Sequence, residues 1–115
     1  MNLGILNAIG STPMVELSVG NVCFMAKLEC MNPFGSMKDR AAKSALLSLL
    51  QSNTIDKGTI IVESSSGNFA IALSGVCSAI GIKCLCVVDS NITNINAQII
   101  KQFGSTIHKI NTPEK

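Results

Sequence analysis

The sequence contains no tryptophan and no tyrosine, and its aromatic content is only 3%. That excludes an aromatic platform on which single-stranded bases could stack. Charge is also scarce: 14% of the 115 residues are charged, and the net charge of +2 is scattered. Neither feature suits a nucleic-acid partner. There is one histidine, His108, and no Cys-x-x-Cys pair among the five cysteines. An odd thiol count without a secretory leader over Met1 to Thr12 predicts free thiols in a reducing compartment. Cys84 and Cys86 face the same way on a strand, and with His108 they are conceivable metal ligands. A free cysteine is more often a small buried hydrophobe, so no metal is expected. A membrane span is not expected either. Phe69 to Val88 comes nearest, but Lys83 interrupts it and Gly67, Gly75 and Gly81 divide the region into helix- and strand-sized units. A spanning helix needs about 20 apolar residues in one run. The expectation is a soluble, cytoplasmic chain with no membrane partner.

Apolar residues are abundant, at 47% of the chain. That balance excludes a disordered polymer, and the length suits one modest domain with a real core. So much apolar surface with so little charge also predicts that part of it is covered by further protein.

Strand and helix signals alternate along the chain. Val22 to Leu28 reads as a strand between Gly20-Asn21 and Asn32-Pro33. A helix follows from about Met37 to Gln51, with Ala42, Ala45, Leu46, Leu49 and Leu50 in one apolar stripe. Ser36 is placed to cap it, with Asp39 as an approximate capping-box partner. Thr59 to Glu63 reads as a short strand, Asn68 to Ile80 as a helix apolar nearly all round, and Lys83 to Val88 as a strand buried on both faces. Thr93 starts a last helix with Ile95, Ile99, Ile100 and Phe103 on its apolar face; Gly104 closes it before a strand at Thr106 to Ile110. Repeated strand-helix-strand units predict an α/β fold: three layers, a mostly parallel sheet and helices on both faces.

Ligands of such sheets sit at the carboxyl ends of the strands, where loops enter helices. Two of those loops are unusual. Asn32-Pro33-Phe34-Gly35-Ser36-Met37-Lys38 puts a lysine in the first helical turn, against the macrodipole's positive end, with Arg40 close by. Moderate burial there lowers a lysine's pKa and makes its amine a nucleophile; a solvated surface lysine is the plain alternative. Ser64-Ser65-Ser66-Gly67-Asn68 offers hydroxyls and helix-start N–H groups to a carboxylate or phosphate, or is simply a serine-rich cap. Neither loop is a Walker loop or a GxGxxG fingerprint, so ATP and NAD have no support.

Together and in this order, the two loops resemble the cysteine-synthase branch of the β-family (fold type II) of pyridoxal-phosphate enzymes. Ile9-Gly10-Ser11-Thr12-Pro13-Met14-Val15 is similar to that family's "GxTPLV" segment. Ala26-Lys27-Leu28-Glu29 and Met31 to Arg40 match its "KLE…NPxGSxKDR", and Glu63 to Asn68 its "E-x-TSGN". Ser36-Met37-Lys38 and the stretch from Val87-Val88-Asp89 to Ile99-Ile100-Lys101 look more like one subgroup. Its members join O-phosphoserine and glutamate into N-(2-amino-2-carboxyethyl)-L-glutamate, on the way to 2,3-diaminopropionate for siderophores.

The resemblance implies pyridoxal 5'-phosphate as cofactor, held by Lys38 as a Schiff base, with Asn68 donating to its phenolic oxygen. Ser65, Ser66 and the backbone of Gly67, Asn68 and Phe69 hold the substrate carboxylate. The implied reaction is β-replacement on an O-activated serine (O-phosphoserine or O-acetylserine) through an aminoacrylate. Glutamate's amine is the expected nucleophile and sulfide the alternative. Threonine synthesis and serine dehydration fit the motif less well. The implied partners are small amino-acid substrates and, at full length, a second copy in a homodimer.

Phe69 and Ala70 depart from the family's usual Thr and Gly, so Phe69 either narrows the carboxylate pocket or packs inward. Residues 1–115 are expected to be the N-terminal portion, without the later phosphate-cup domain. A non-catalytic, truncated fragment is therefore a further alternative.

Overall fold

The computed structural model describes residues 3–111. In chain order these form α1 (Leu3–Ala8), β1 (Met14–Val19), β2 (Val22–Lys27), a 3-10 turn (Glu29–Met31), α2 (Lys38–Gln51), β3 (Ile60–Ser64), α3 (Asn68–Ile80), β4 (Lys83–Val88), α4 (Asn94–Gln102) and β5 (Thr106–Lys109). The Thr112 to Lys115 end lies outside the described residues.

Strands β3, β4 and β5 form a parallel sheet in that order, which is the α/β arrangement the alternating signals predict. Two crossover helices connect them, and α3 and α4 touch each other, so both lie on one face. On that face β4 buries Cys84, Cys86 and Val88, while Leu85 and Val87 on the other are half-buried. Ile60 and Val62, whose register puts them beside Lys83 and Leu85, are 56% and 59% exposed. Helices on both faces were expected; among the described residues they cover one, and β4 is fully buried on that side only.

Helix α3 is the centre of the core. Ala70 to Cys77 and Ile80 are all buried, because the sheet packs on one side of the helix and α2 and α1 on the other. Its all-round apolar sequence has this cause. Gly81 and Gly104 end α3 and α4 in the left-handed conformation (φ +77° and +85°), where a β-carbon is strained. Thr93 caps α4, its Oγ1 accepting the Asn96 N–H at 3.2 Å.

Two expected stripes shift. On α2 the buried positions are Asp39, Ala42 and Leu46, while Ala45 and Leu49 face solvent. The buried stripe begins with a carboxylate, which hydropathy cannot reveal. On α4, Ile100 is buried, but Ile95, in the first turn, is 68% exposed.

The predicted strand at Val22 is β2, but it does not join the parallel sheet. It pairs antiparallel with β1 through the Gly20-Asn21 turn, with Val19 opposite Val22 and Met14 opposite Lys27. This ribbon is a second, separate sheet with most of its side chains exposed. No described helix is long and apolar enough to cross a membrane.

Candidate functional site

The loop before α2 is built around polar anchors. Pro33 follows Asn32, whose backbone is extended (φ −62°, ψ 150°) as a residue before proline prefers. The buried Asn32 side chain accepts the Gly10 N–H at 2.9 Å and donates to the Glu29 carbonyl and carboxylate, both at 2.9 Å. Glu29 then takes a two-pronged pair from Arg40, Nε to Oε2 and Nη2 to Oε1, each 2.8 Å. Arg40 Nη2 also donates to the Gly10 carbonyl, Thr12 Oγ1 to Glu29, and Lys27 Nζ to the Thr12 carbonyl. The residues quoted from Gly10, Thr12, Lys27, Glu29, Asn32 and Arg40 thus form one network that fixes both ends of the lysine loop.

Lys38 opens α2, with Met37 rather than Ser36 at the cap position. Ser36 still serves the helix start, because its Oγ accepts the Lys38 N–H at 3.2 Å. Lys38 itself is exposed among the described residues. Asp39 turns inward and is fully buried. Its Oδ2 accepts the Phe34 N–H at 2.6 Å, and its Oδ1 has no partner among the described residues. Burial pushes the Asp39 pKa up, against the N–H groups of Phe34, Ser36 and Asp39 that face it.

Arg40 does the opposite for Glu29. Its hydrogen bonds, with help from Asn32 and Thr12, lower that carboxyl from 4.5 to about 2 despite some desolvation. A depressed carboxylate stabilises the fold above its unfolded pKa, and the contribution fades as pH falls. Glu29→Gln should therefore flatten the acid limb of stability between pH 4.5 and about 2, followed by circular dichroism. An acid limb identical to the parent's would remove Glu29 from the linkage.

The second loop leaves β3 at Ser64 and enters α3 at Asn68, with Gly67 at the cap and no side-chain cap bond. The first helical N–H groups, at Asn68 to Ala70, therefore lack the partner that a capping side chain supplies. Asn96 Nδ2 braces the loop from α4 by donating to the Ser66 carbonyl at 3.0 Å. Ser64, Ser65 and Ser66 line a depression of about 260 Å³ with Val87, Val88, Asp89 and Ile110, at the carboxyl ends of β3 and β4. Asn68 is exposed, while Phe69 packs partly buried against the core, so its ring faces inward. Lys38 does not line this depression, and no hydrogen bond joins it to Asn68 among the described residues. A wider depression, about 420 Å³, runs along α2 beside Ile9, Arg40 and Lys43 and shares no residue with the serine loop.

Cys84 and Cys86 do face the same way, their sulfurs 4.0 Å apart and buried. His108 pairs with Val87 and so sits on the opposite face of the sheet. The Cys84 thiol and burial push the Cys86 thiol up, away from the thiolate a metal needs.

Asn96 and the pairing of Arg40 with Glu29 were not expected, and Asp39 was expected only as a capping-box partner of Ser36. The available signal was charge: Glu29 and Arg40 carry opposite signs on either side of the Asn-Pro-x-Gly turn.

A family model described as pyridoxal-phosphate dependent enzyme matches residues 5–115. Among solved structures, O-ureido-L-serine synthase is 33% identical with a TM-score of 0.87, over 93% of this chain and 35% of that one. O-acetylserine dependent cystathionine beta-synthase from Helicobacter pylori is 32% identical (TM-score 0.83; 95% and 37%). O-acetyl serine sulfhydrylase isoform 3 from Entamoeba histolytica is 29% identical (TM-score 0.87; 96% and 36%). The chain therefore spans about a third of the length of these structures (35–37%).

Proposed function

The chain belongs to the family of pyridoxal-phosphate-dependent enzymes, and from that premise we propose that it carries the lysine half of a site for β-replacement on an O-activated serine. The donor set fits the cofactor. Lys38 supplies an exposed primary amine at a helix start, and Asn68 an exposed amide able to donate to a ring oxygen. The serine loop adds hydroxyls and uncapped helix-start N–H groups suited to a carboxylate.

When bound, pyridoxal phosphate supplies an electron sink that eases loss of the α-proton and then of the β-substituent. The rest falls to side chains. Lys38 Nζ holds the cofactor and, once released, takes the α-proton as a general base. Asn68 orients the ring. Ser65, Ser66 and the N–H groups of Gly67 to Phe69 hold the substrate carboxylate, with the inward Phe69 ring leaving its backbone free to do so. The single observation that carries this reading is the uncapped start of α3 directly after three serines. Residues 1–115 are proposed as the N-terminal portion of a longer homodimeric, cytoplasmic enzyme whose phosphate-binding part lies elsewhere.

For the second substrate, the subgroup resemblance supports glutamate's amine and hence diaminopropionate for siderophores. The likeness to an O-acetyl serine sulfhydrylase favours sulfide instead. Incubation with the cofactor, borohydride reduction and peptide mass spectrometry should place a stable adduct on Lys38 in preference to Lys43 or Lys57. Adducts spread evenly over the lysines would sink the assignment. A longer version given O-phosphoserine or O-acetylserine with glutamate or sulfide separates the nucleophiles. Cysteine without any glutamate adduct removes the diaminopropionate reading. Trapping only in the longer version makes the short chain a non-catalytic fragment.

A further inference from the structure

We propose that Phe34 is a positioning residue whose packing on Gly75 sets where the Lys38 loop stands relative to the Asn68 helix. The proposal rests on the roles of Lys38 and Asn68 proposed above.

Phe34 is held at both of its ends. Its backbone N–H is bound by Asp39, the buried neighbour of Lys38. Its ring lies directly on Gly75 of α3: a β-carbon there would overlap Phe34 Cδ1 and Cε1 and lie 2.7 Å from Cζ. Phe103, at the end of α4, meets the same ring edge-to-face, with centroids 5.3 Å apart and planes at 78°. Gly75 is seven residues beyond Asn68 in one helix, about 10 Å along a rigid axis at 1.5 Å per residue. A short mechanical chain thus runs from Lys38 through Asp39 and Phe34 to Gly75, and up α3 to Asn68.

The amine and the amide must engage one small ring together, so their separation has to be set by something stiffer than the loop itself. Phe34 occupies the open position of the Asn-Pro-x-Gly pattern, and it matches a glycine that alone permits the close approach. If the pair only filled the core, its loss would loosen the whole domain evenly. As a positioning contact, its loss should act on residues 35–38 and on Lys38 chemistry before anything else.

The test uses the 115-residue chain with Phe34→Ala, Phe34→Leu, Gly75→Ala and the Phe34→Ala/Gly75→Ala double variant. Two readings are taken: amide hydrogen exchange residue by residue, and borohydride-trapped adduct on Lys38 relative to Lys43 and Lys57. Phe34→Ala and Gly75→Ala should each speed exchange across residues 35–38 and cut Lys38 trapping about tenfold, since small misplacements cost that order or more. The β4 amides and Lys57 should be unchanged. Phe34→Leu should keep most of the trapping, and the double variant should be no worse than either single one. Exchange unchanged at residues 35–38, exchange raised evenly throughout, or additive losses in the double variant would each overturn the proposal. An unaltered chain that traps nothing on Lys38 bears on the cofactor reading of the short chain and not on Phe34, and the exchange data still decide on Phe34. Should Gly75→Ala fail to fold, Phe34→Ala decides, because it removes only a half-buried ring.

Discussion

Replacing Leu46 with alanine is expected to lower the stability of the chain by about 2–5 kcal/mol, the usual range for emptying a fully buried leucine site. Leu46 is 2% exposed and lies with Ala42 on the buried side of α2, and α2 against α3 is the principal helix contact of the core. Domains of this size are stable by only about 5–15 kcal/mol, so the loss is a large share of the whole. Leu49, one turn further along α2 and 36% exposed, provides the contrast. Leu49→Ala should change stability by no more than about 0.5 kcal/mol. Urea unfolding of the three chains, with slopes compared as well as midpoints, measures both. Equal midpoints for the two variants would mean that the buried stripe of α2 is misassigned.

Asp39 gives the second large effect, in opposite directions for two substitutions. Asp39→Ala strands the Phe34 N–H, and a buried donor left unpaired costs about 1–3 kcal/mol. Asp39→Asn keeps an acceptor for that N–H, cannot ionise and puts an amide group at the position of the unpartnered oxygen. It should equal or exceed the parent in stability at neutral pH. The sign with pH follows from the raised pKa. A carboxyl whose folded pKa lies above its unfolded value of 3.8 favours the fold while protonated, and loses that advantage as pH rises through the folded value. The benefit of Asp39→Asn over the parent should therefore be absent below pH 3.8 and grow above it. Unfolding curves at several pH values test this, and an asparagine variant as weak as the alanine one would refute it.

Much of the parallel half was legible beforehand. Helix α3 and strand β4 fall on the predicted residues, because each is long, apolar and bounded by a serine-glycine loop or a glycine. Helix α2 and strand β3 begin one residue later than expected, as ends commonly do. Helix α1 was not legible: six residues make too little periodicity to detect. Strand β1 did carry a signal, since Val15, Leu17 and Val19 alternate with Glu16 and Ser18 before a two-residue Gly-Asn turn. At the site, the serine loop and the lysine's place at a helix start were readable from local order. The exposure of Lys38, the inward turn of Asp39 and the Asn96 brace depend on contacts 5 to 30 residues apart, which no local pattern encodes.

The β1–β2 ribbon has a consequence for how the molecule opens. Its foot is closed where Leu28 N–H meets the Pro13 carbonyl and Lys27 reaches Thr12, and it is tied to α2 where Arg40 reaches Gly10 and Glu29, but Leu17, Val19, Val22, Phe24 and Met25 are exposed among the described residues. Two strands without a covering layer are barely stable in water on their own. The ribbon is therefore expected to melt as its own unit, from the turn downward, while the packed helices and the parallel sheet hold, an order that amide hydrogen exchange would read. Local opening costs least in the ribbon and most in α3, and the lysine loop lies between the two.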